Sequence, residues 1–206
     1  MMITLHHLNK SRSKRIIWLL EELGVEYQIV PYQRDSVTFL APPELKAIHP
    51  LGKSPVLEEN GQVIAESGAI TEYLIGKYAA ERLAPAKESK EYIEYLQWLH
   101  FAESSGMLPL LLKVFLLKDG AETKFLAPYA DSEISKILSY VEQSLQGKTY
   151  LVAEKLTGAD VMMSFIIEIT AQFGLLAHYP NLARYGETLA AHPCFQKAQA
   201  LELQYQ

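Results

Sequence analysis

The chain has 206 residues, 49% of them hydrophobic, and a formal net charge of −5; that hydrophobic share is enough for a substantial core in one large or two small domains, so disorder is not the default. Its longest apolar run, Met107 to Leu117, contains Pro109 and Lys113 and is too short to cross a bilayer, so no membrane-spanning helix is expected. Residues 1–54 carry seven Lys or Arg against five Asp or Glu, a local positive balance too modest for a nucleic-acid footprint and better suited to a small anion. The single Cys194 has no partner for an internal disulfide, and no basic, apolar, small-residue leader opens the chain, which points to a reducing cytoplasm.

The first eighty residues alternate between strand and helix patterns. Ile3 to Leu8 reads as a strand, and Ile16, Leu19, Leu20 and Leu23 follow at helical spacing up to Gly24, a C-terminal cap. Between them stand Lys10, Arg12, Lys14 and Arg15, although a helix N-terminus ordinarily favours negative side chains. Glu26 to Tyr32 reads as a second strand, and Pro42-Pro43 before Glu44, Leu45 and Ile48 predicts a short helix. Val56 to Glu58 and Val63-Ile64 flank Asn60-Gly61, a tight-turn pair, and predict a hairpin. Ile70, Tyr73, Leu74, Lys77 and Tyr78 then form an amphipathic helix with Ser67 as its N-cap, which completes a βαβαββα domain over residues 1–79.

Residues 80–88 read as a linker, and the pattern over 89–206 is all-helical, with helices at 89–117, 132–146, 158–176, 181–191 and 194–203. Thr157 and Asp160 have capping-box spacing, with Leu156 and Val161 as the staple, and the helix they open is apolar on nearly every face and therefore central. The fold class is accordingly α/β followed by all-α. No phosphate loop, dinucleotide fingerprint, G-x-S-x-G or Cys-x-x-Cys occurs, and His6 and His7 point to opposite strand faces, so no metal site is expected. Cys194, at a helix start, reads as structural.

Three ordered motifs carry a resemblance. HPLGKSPVLEENG (49–61), AESGAITEYL (65–74) and the capping-box segment 157–164, set in a βαβαββα half and an all-α half, are similar to the cytosolic glutathione transferases. The resemblance implies a thioredoxin-like N-terminal domain that binds glutathione, a helical domain that holds the electrophile, and a homodimer. It also implies conjugation of the glutathione thiolate to small hydrophobic electrophiles, with detoxification or peroxide reduction as the role. A non-catalytic glutathione-binding or protein-interaction module of the same fold is the alternative. Nucleic acid and membrane are not expected partners, and glutathione is the co-substrate, with no metal.

The resemblance also implies roles for single residues. The strand end offers His6-His7 and no Tyr, while Ser11, four residues before Arg15, matches the family's serine pattern and is the expected thiol activator. Arg12 stands where the isomerase branch has its Cys, which disfavours that branch. Ser54, followed by Pro55 in the cis form, would meet the cysteinyl unit of the tripeptide. Glu66 and Ser67 would hold the γ-glutamyl group, and Lys53 the glycyl carboxylate, while Gly68 stands where many members have a larger polar residue. Phe101, Ser104, Met107 and Leu111 on the first long helix would line the electrophile pocket, with Pro109 bending that helix and Glu103 approaching a partner subunit's site.

Overall fold

The computed structural model describes residues 2–120 and 123–205. The chain divides into two compact units, one formed by Met1–Arg82 with Ala190–Gln206 and the other by Leu83–Leu189.

The first unit is built on a four-stranded sheet of β1 (Ile3–Leu8), β2 (Tyr27–Tyr32), β3 (Val56–Glu59) and β4 (Gln62–Ala65), in the order β2-β1-β3-β4. Strand β1 runs parallel to β2 and antiparallel to β3, and β3 is antiparallel to β4. β1 is central, so Ile3, Leu5 and Leu8 are all buried. Asn60 and Gly61 both take left-handed backbone angles (φ 53° and 76°), as a two-residue turn matched to strand twist requires. His6 pairs with Val56 and Val56 with Ala65. This register brings the end of β1, the start of β3 and the end of β4 to one end of the sheet.

Helix α1 (Ser13–Leu23) buries Ile16, Ile17, Trp18, Leu19 and Leu20 and stops at Gly24 (φ 65°), whose N–H bonds the Leu20 and Glu21 carbonyls. A short α2 (Leu45–Ile48) precedes the hairpin, α3 (Ser67–Tyr78) follows it, and a single turn α4 (Ala80–Leu83) lies in the segment read as a linker. The last helix, α10 (Pro193–Gln204), packs along α1, with Trp18 edge-on to Phe195 at 5.1 Å between ring centroids. Glu59 at the end of β3 ties the hairpin to α3 by accepting from Tyr73 (2.6 Å) and Tyr78 and pairing with Lys77 (2.8 Å).

The second unit contains α5 (Lys90–Phe101), α6 (Met107–Asp119), α7 (Leu126–Ser144), α8 (Gly158–Gln172), a 3-10 turn at Leu176–His178 and most of α9 (Pro180–Ala190). Helix α8 is its core and packs on α5 and α6. The capping box is present: Asp160 Oδ2 accepts the Thr157 N–H at 2.8 Å. Oδ1 accepts the Leu151 N–H (3.1 Å) and the Tyr185 hydroxyl (2.8 Å), so one buried carboxylate fastens the start of α8 to the preceding loop and to α9. Burial pushes the Asp160 carboxyl up, against the pull of these donors.

The single helix expected over 89–117 is two helices, and Pro109 does not bend it. The regular helix is interrupted by turns at residues 102–106, where the Gly106 N–H reaches back to the Phe101 carbonyl at 2.9 Å. A Cβ at Gly106 would stand 2.6 Å from Ile166 Cδ1 and 2.9 Å from the Phe101 carbonyl, so only glycine lets α8 approach here. Pro109 falls in the first turn of α6, where a missing N–H breaks no helical bond. Among the described residues no helix is long and apolar enough to cross a membrane.

Candidate functional site

The residues singled out in the first unit gather at the end of the sheet defined by the strand register. Ser54 lies just before β3, its peptide to Pro55 is cis, and Pro55 is buried. The Ser54 hydroxyl donates to the His6 carbonyl at 2.8 Å and accepts the Leu8 N–H at 3.0 Å. Glu66 follows β4 directly and occupies the N-cap position of α3 with φ 70° and ψ 117°, a sparsely populated positive-φ conformation that costs a non-glycine residue on the order of 1–3 kcal/mol. Ser67, expected as the cap, is instead the first residue of the helix and is buried, whereas Glu66 and Lys53 are exposed.

Ser11 follows the end of β1 in the turn leading to α1 and is 8% exposed. Its Oγ accepts the Ser13 N–H at 3.1 Å, which leaves the hydroxyl proton free to be donated elsewhere. Arg12 occupies the N-cap position of α1, and neither α1 nor α3 has a side-chain cap or an acidic residue in its first turn. Both helices therefore present N–H groups and the positive end of a dipole near the same end of the sheet, with Glu66 at the N-cap of α3 the acidic side chain beside them.

The cations of the first turn of α1 and of the segment after β2 are arranged around this turn rather than strung through solvent. Arg15 is buried, and Lys14 Nζ donates to Gln199 on α10 at 2.7 Å while lying over the Phe195 ring. Arg34 donates to the Phe39 carbonyl at 2.8 Å with its guanidinium over the Phe39 ring, and its N–H bonds Asn9 Oδ1 at 2.8 Å. Burial and the charge of Arg12 hold the Arg34 guanidinium below its ordinary pKa. Such a cluster favours an anion.

Two contributors to this surrounding escape a reading of the sequence. Arg34 enters it only as one more cation in a tally. Glu202, on α10, accepts the Lys10 N–H at 2.8 Å and stands 3.0 Å from Nε2 of the buried His7, and no local signal links residues so far apart in the chain.

In the second unit, Phe101 and Ser104 line a cavity of about 560 Å³ together with Ile93, Leu96, Trp98 and Tyr140. Phe101 packs edge-on to Trp98, and the Ser104 hydroxyl donates to the His100 carbonyl at 2.8 Å. Met107 is fully buried and Leu111 half-buried, and neither lines that cavity.

Among the described residues, one group has metal-ligand character: Glu22, His192 and Cys194 offer donor atoms all within 4.8 Å of one another. Glu22 is already engaged there, accepting the Trp18 indole N–H at 3.0 Å, lying 2.7 Å from His192 Nδ1, and pairing with Arg82. Burial and the Glu22 carboxylate push the Cys194 thiol up.

A family model described as the glutathione S-transferase N-terminal domain matches residues 1–76, and the corresponding C-terminal domain model matches residues 107–193. Glutathione S-transferase 1 of Saccharomyces cerevisiae is 33% identical, over 97% of this chain and 96% of its own. Glutathione S-transferase 3 of Schizosaccharomyces pombe is 34% identical, over 93% of this chain and 84% of its own. The crystal structure of a glutathione S-transferase from Actinobacillus pleuropneumoniae matches with a TM-score of 0.88 at 41% identity, covering 98% of this chain and 93% of that one.

Proposed function

The chain belongs to the glutathione S-transferase family, and on that premise we propose that it conjugates glutathione to small soft electrophiles, with Ser11 as the group that activates the thiol. The observation that carries the reading is the convergence of Ser11, Ser54 with its cis Pro55, and Glu66-Ser67 at one end of the sheet, beside two helix N-termini.

Each group has a task that its chemistry suits. The Ser54 backbone pairs in strand fashion with the cysteinyl unit. Ser67, in the first turn of α3, receives the γ-glutamyl carboxylate, and Glu66 accepts from the γ-glutamyl ammonium. Lys53, exposed beside them, meets the glycyl carboxylate. The sulfur then lies at the turn before α1, where the Ser11 hydroxyl donates to it.

A free thiol has a pKa of about 8.5, so bringing thiolate to the majority at neutral pH needs a shift of about 2 units, or about 2.7 kcal/mol. A hydrogen bond to a charged acceptor contributes about 1.5–3 kcal/mol, and a helix N-terminus about 0.3–1 kcal/mol more. The two together reach the required range. The thiolate attacks the electrophilic carbon, the leaving group departs with the bonding pair, and proximity supplies the remainder of the acceleration.

The same proposal gives the helical unit the electrophile, with Phe101 and Ser104 at its cavity, since apolar acceptors need apolar surroundings. It extends to a homodimer that removes reactive electrophiles in a reducing cytoplasm. Light scattering at micromolar protein tests the dimer, and a monomer mass would reject it.

Ultraviolet difference titration with glutathione, following thiolate absorbance against pH, tests the central reading. A saturable thiolate signal below neutral pH in the wild type, lost in Ser11→Ala, supports it. An Ser11→Ala protein with full turnover and an unchanged bound-thiol pKa would sink it.

A further inference from the structure

Glu202 has no part in the transferase reading, yet its placement runs against two local preferences. It stands in the last turn of α10, the negative end of a helix dipole, where a carboxylate is disfavoured. It is also only 5% exposed, and a buried carboxylate is costly unless donors meet it. What offsets both is its contact with the other end of the chain: Oε1 accepts the Lys10 N–H at 2.8 Å, and Oε2 lies 3.0 Å from His7 Nε2. Burial raises the Glu202 carboxyl, but His7, the Lys10 N–H and the charge of Lys14 outweigh it and hold the group below the usual carboxylate range.

Those partners bracket the turn that carries Ser11. His7 is the last but one residue of β1, and Lys10, next to Ser11, takes the left-handed backbone conformation (φ 53°) that lysine rarely adopts. From the β2 side the turn is held by the Asn9 N–H on the Tyr32 carbonyl and by the Arg34 N–H on Asn9 Oδ1. Glu202 holds it from the α10 side.

We infer that Glu202 is a positioning residue: by binding the Lys10 N–H and His7 it fixes the turn that presents the Ser11 hydroxyl, and so governs how far a bound thiol is activated. This rests on the assignment of Ser11 as activator. Glu202 touches no substrate. Its contribution is the angle and distance at which Ser11 meets the sulfur, and a misplacement of about 1 Å at such a site is enough to cost large factors in rate.

The test is the same thiolate titration on the full-length wild type, Glu202→Ala, Glu202→Gln, Ser11→Ala and the Ser11→Ala/Glu202→Ala double variant, with glutathione affinity by calorimetry. Turnover with 1-chloro-2,4-dinitrobenzene is measured in parallel. Glu202→Ala is expected to raise the bound-thiol pKa by about one unit, which is up to tenfold less thiolate at a pH below both values, and to lower kcat measured there in proportion. Glutathione affinity should change less than about threefold, because the residues assigned to hold the tripeptide lie elsewhere. Glu202→Gln keeps an acceptor for the Lys10 N–H and should recover most of the activation. The double variant should be no worse than Ser11→Ala.

A purely electrostatic effect of the carboxylate predicts the opposite for Glu202→Gln, a lower thiol pKa than wild type, and that result would overturn the inference. So would a thiol pKa that Ser11→Ala shifts and Glu202→Ala does not. A thiol pKa that Ser11→Ala itself leaves in place overturns the assignment of Ser11 and this inference with it. If Glu202→Ala fails to fold, Glu202→Asp, which withdraws the carboxylate from Lys10 by one methylene, carries the same expectation.

Discussion

The Ser54 hydroxyl donates to the His6 carbonyl at 2.8 Å, pinning the segment before β3 to the end of β1 through a side chain rather than a ladder bond. The same oxygen accepts the Leu8 N–H, so Ser54→Ala leaves a main-chain donor and a main-chain acceptor without this partner. A loss of about 1–3 kcal/mol in urea unfolding is expected. Unchanged unfolding would mean that water replaces the hydroxyl without cost.

Asp160 offers a sharper contrast. Removing its carboxylate strands the Leu151 and Thr157 N–H groups and the Tyr185 hydroxyl inside the helical unit, so Asp160→Ala should destabilise by roughly 3 kcal/mol or more. Tyr185→Phe removes only one of those donors and should cost about 1–2 kcal/mol. Chemical denaturation of both variants decides whether the carboxylate is a hub or whether its donors act independently.

Stability against acid should carry the signature of Glu59. Burial raises this carboxyl, but hydrogen bonds from Lys77, Tyr73 and Tyr78 outweigh that and leave it below its ordinary value. A carboxyl whose pKa is depressed by folding contributes fully above the unfolded value, about 4.3, and that contribution disappears as pH falls through the lower folded value. Urea midpoints should therefore separate wild type from Glu59→Gln at neutral pH and converge below about pH 4. A gap independent of pH would assign the effect to packing instead of charge.

Gly106 should tolerate no side chain. In Gly106→Ala the new Cβ would meet a backbone carbonyl at 2.9 Å and Ile166 at 2.6 Å, and the carbonyl cannot swing away as a flexible side chain could. Overpacking of this kind costs about 1–3 kcal/mol. The cavity lined by Phe101 and Ser104 adjoins the same break, so a change in acceptor preference is expected along with the lower thermal midpoint. A variant as stable as wild type would show that α5 and α6 can spread apart freely.

What the sequence displays and what it conceals divide along the distance over which residues act. Asn60-Gly61 and the Thr157/Asp160 box are legible because the groups that satisfy each other lie within four residues, and the structure has both. The order βαβαββα is legible for the same reason: period and punctuation are local. The break at residues 102–106 is not, because a run of apolar residues through Met107 reads as one helix, and the close approach of Ile166 that requires glycine at 106 comes from another helix. Ser67 reads as a cap because serine commonly is one, yet Glu66, with its positive φ, holds the N-cap position and Ser67 is the first helical residue. Around the turn proposed to activate the thiol, Ser11 follows from its position in a motif, whereas Glu202 is reached only through the fold.

The grouping of the last helix with the first sheet has a bearing on how the molecule is made. Because α10 covers a face of α1, the unit that begins at the N-terminus is finished only by residues beyond Ala190, with the whole of residues 83–189 lying between. During synthesis the α1 surface that receives Phe195 leaves the ribosome long before its cover exists, and it waits as open apolar surface while the helical unit is made. Vectorial synthesis thus gives the nascent sheet a period of vulnerability that ends only with the arrival of the C-terminal residues.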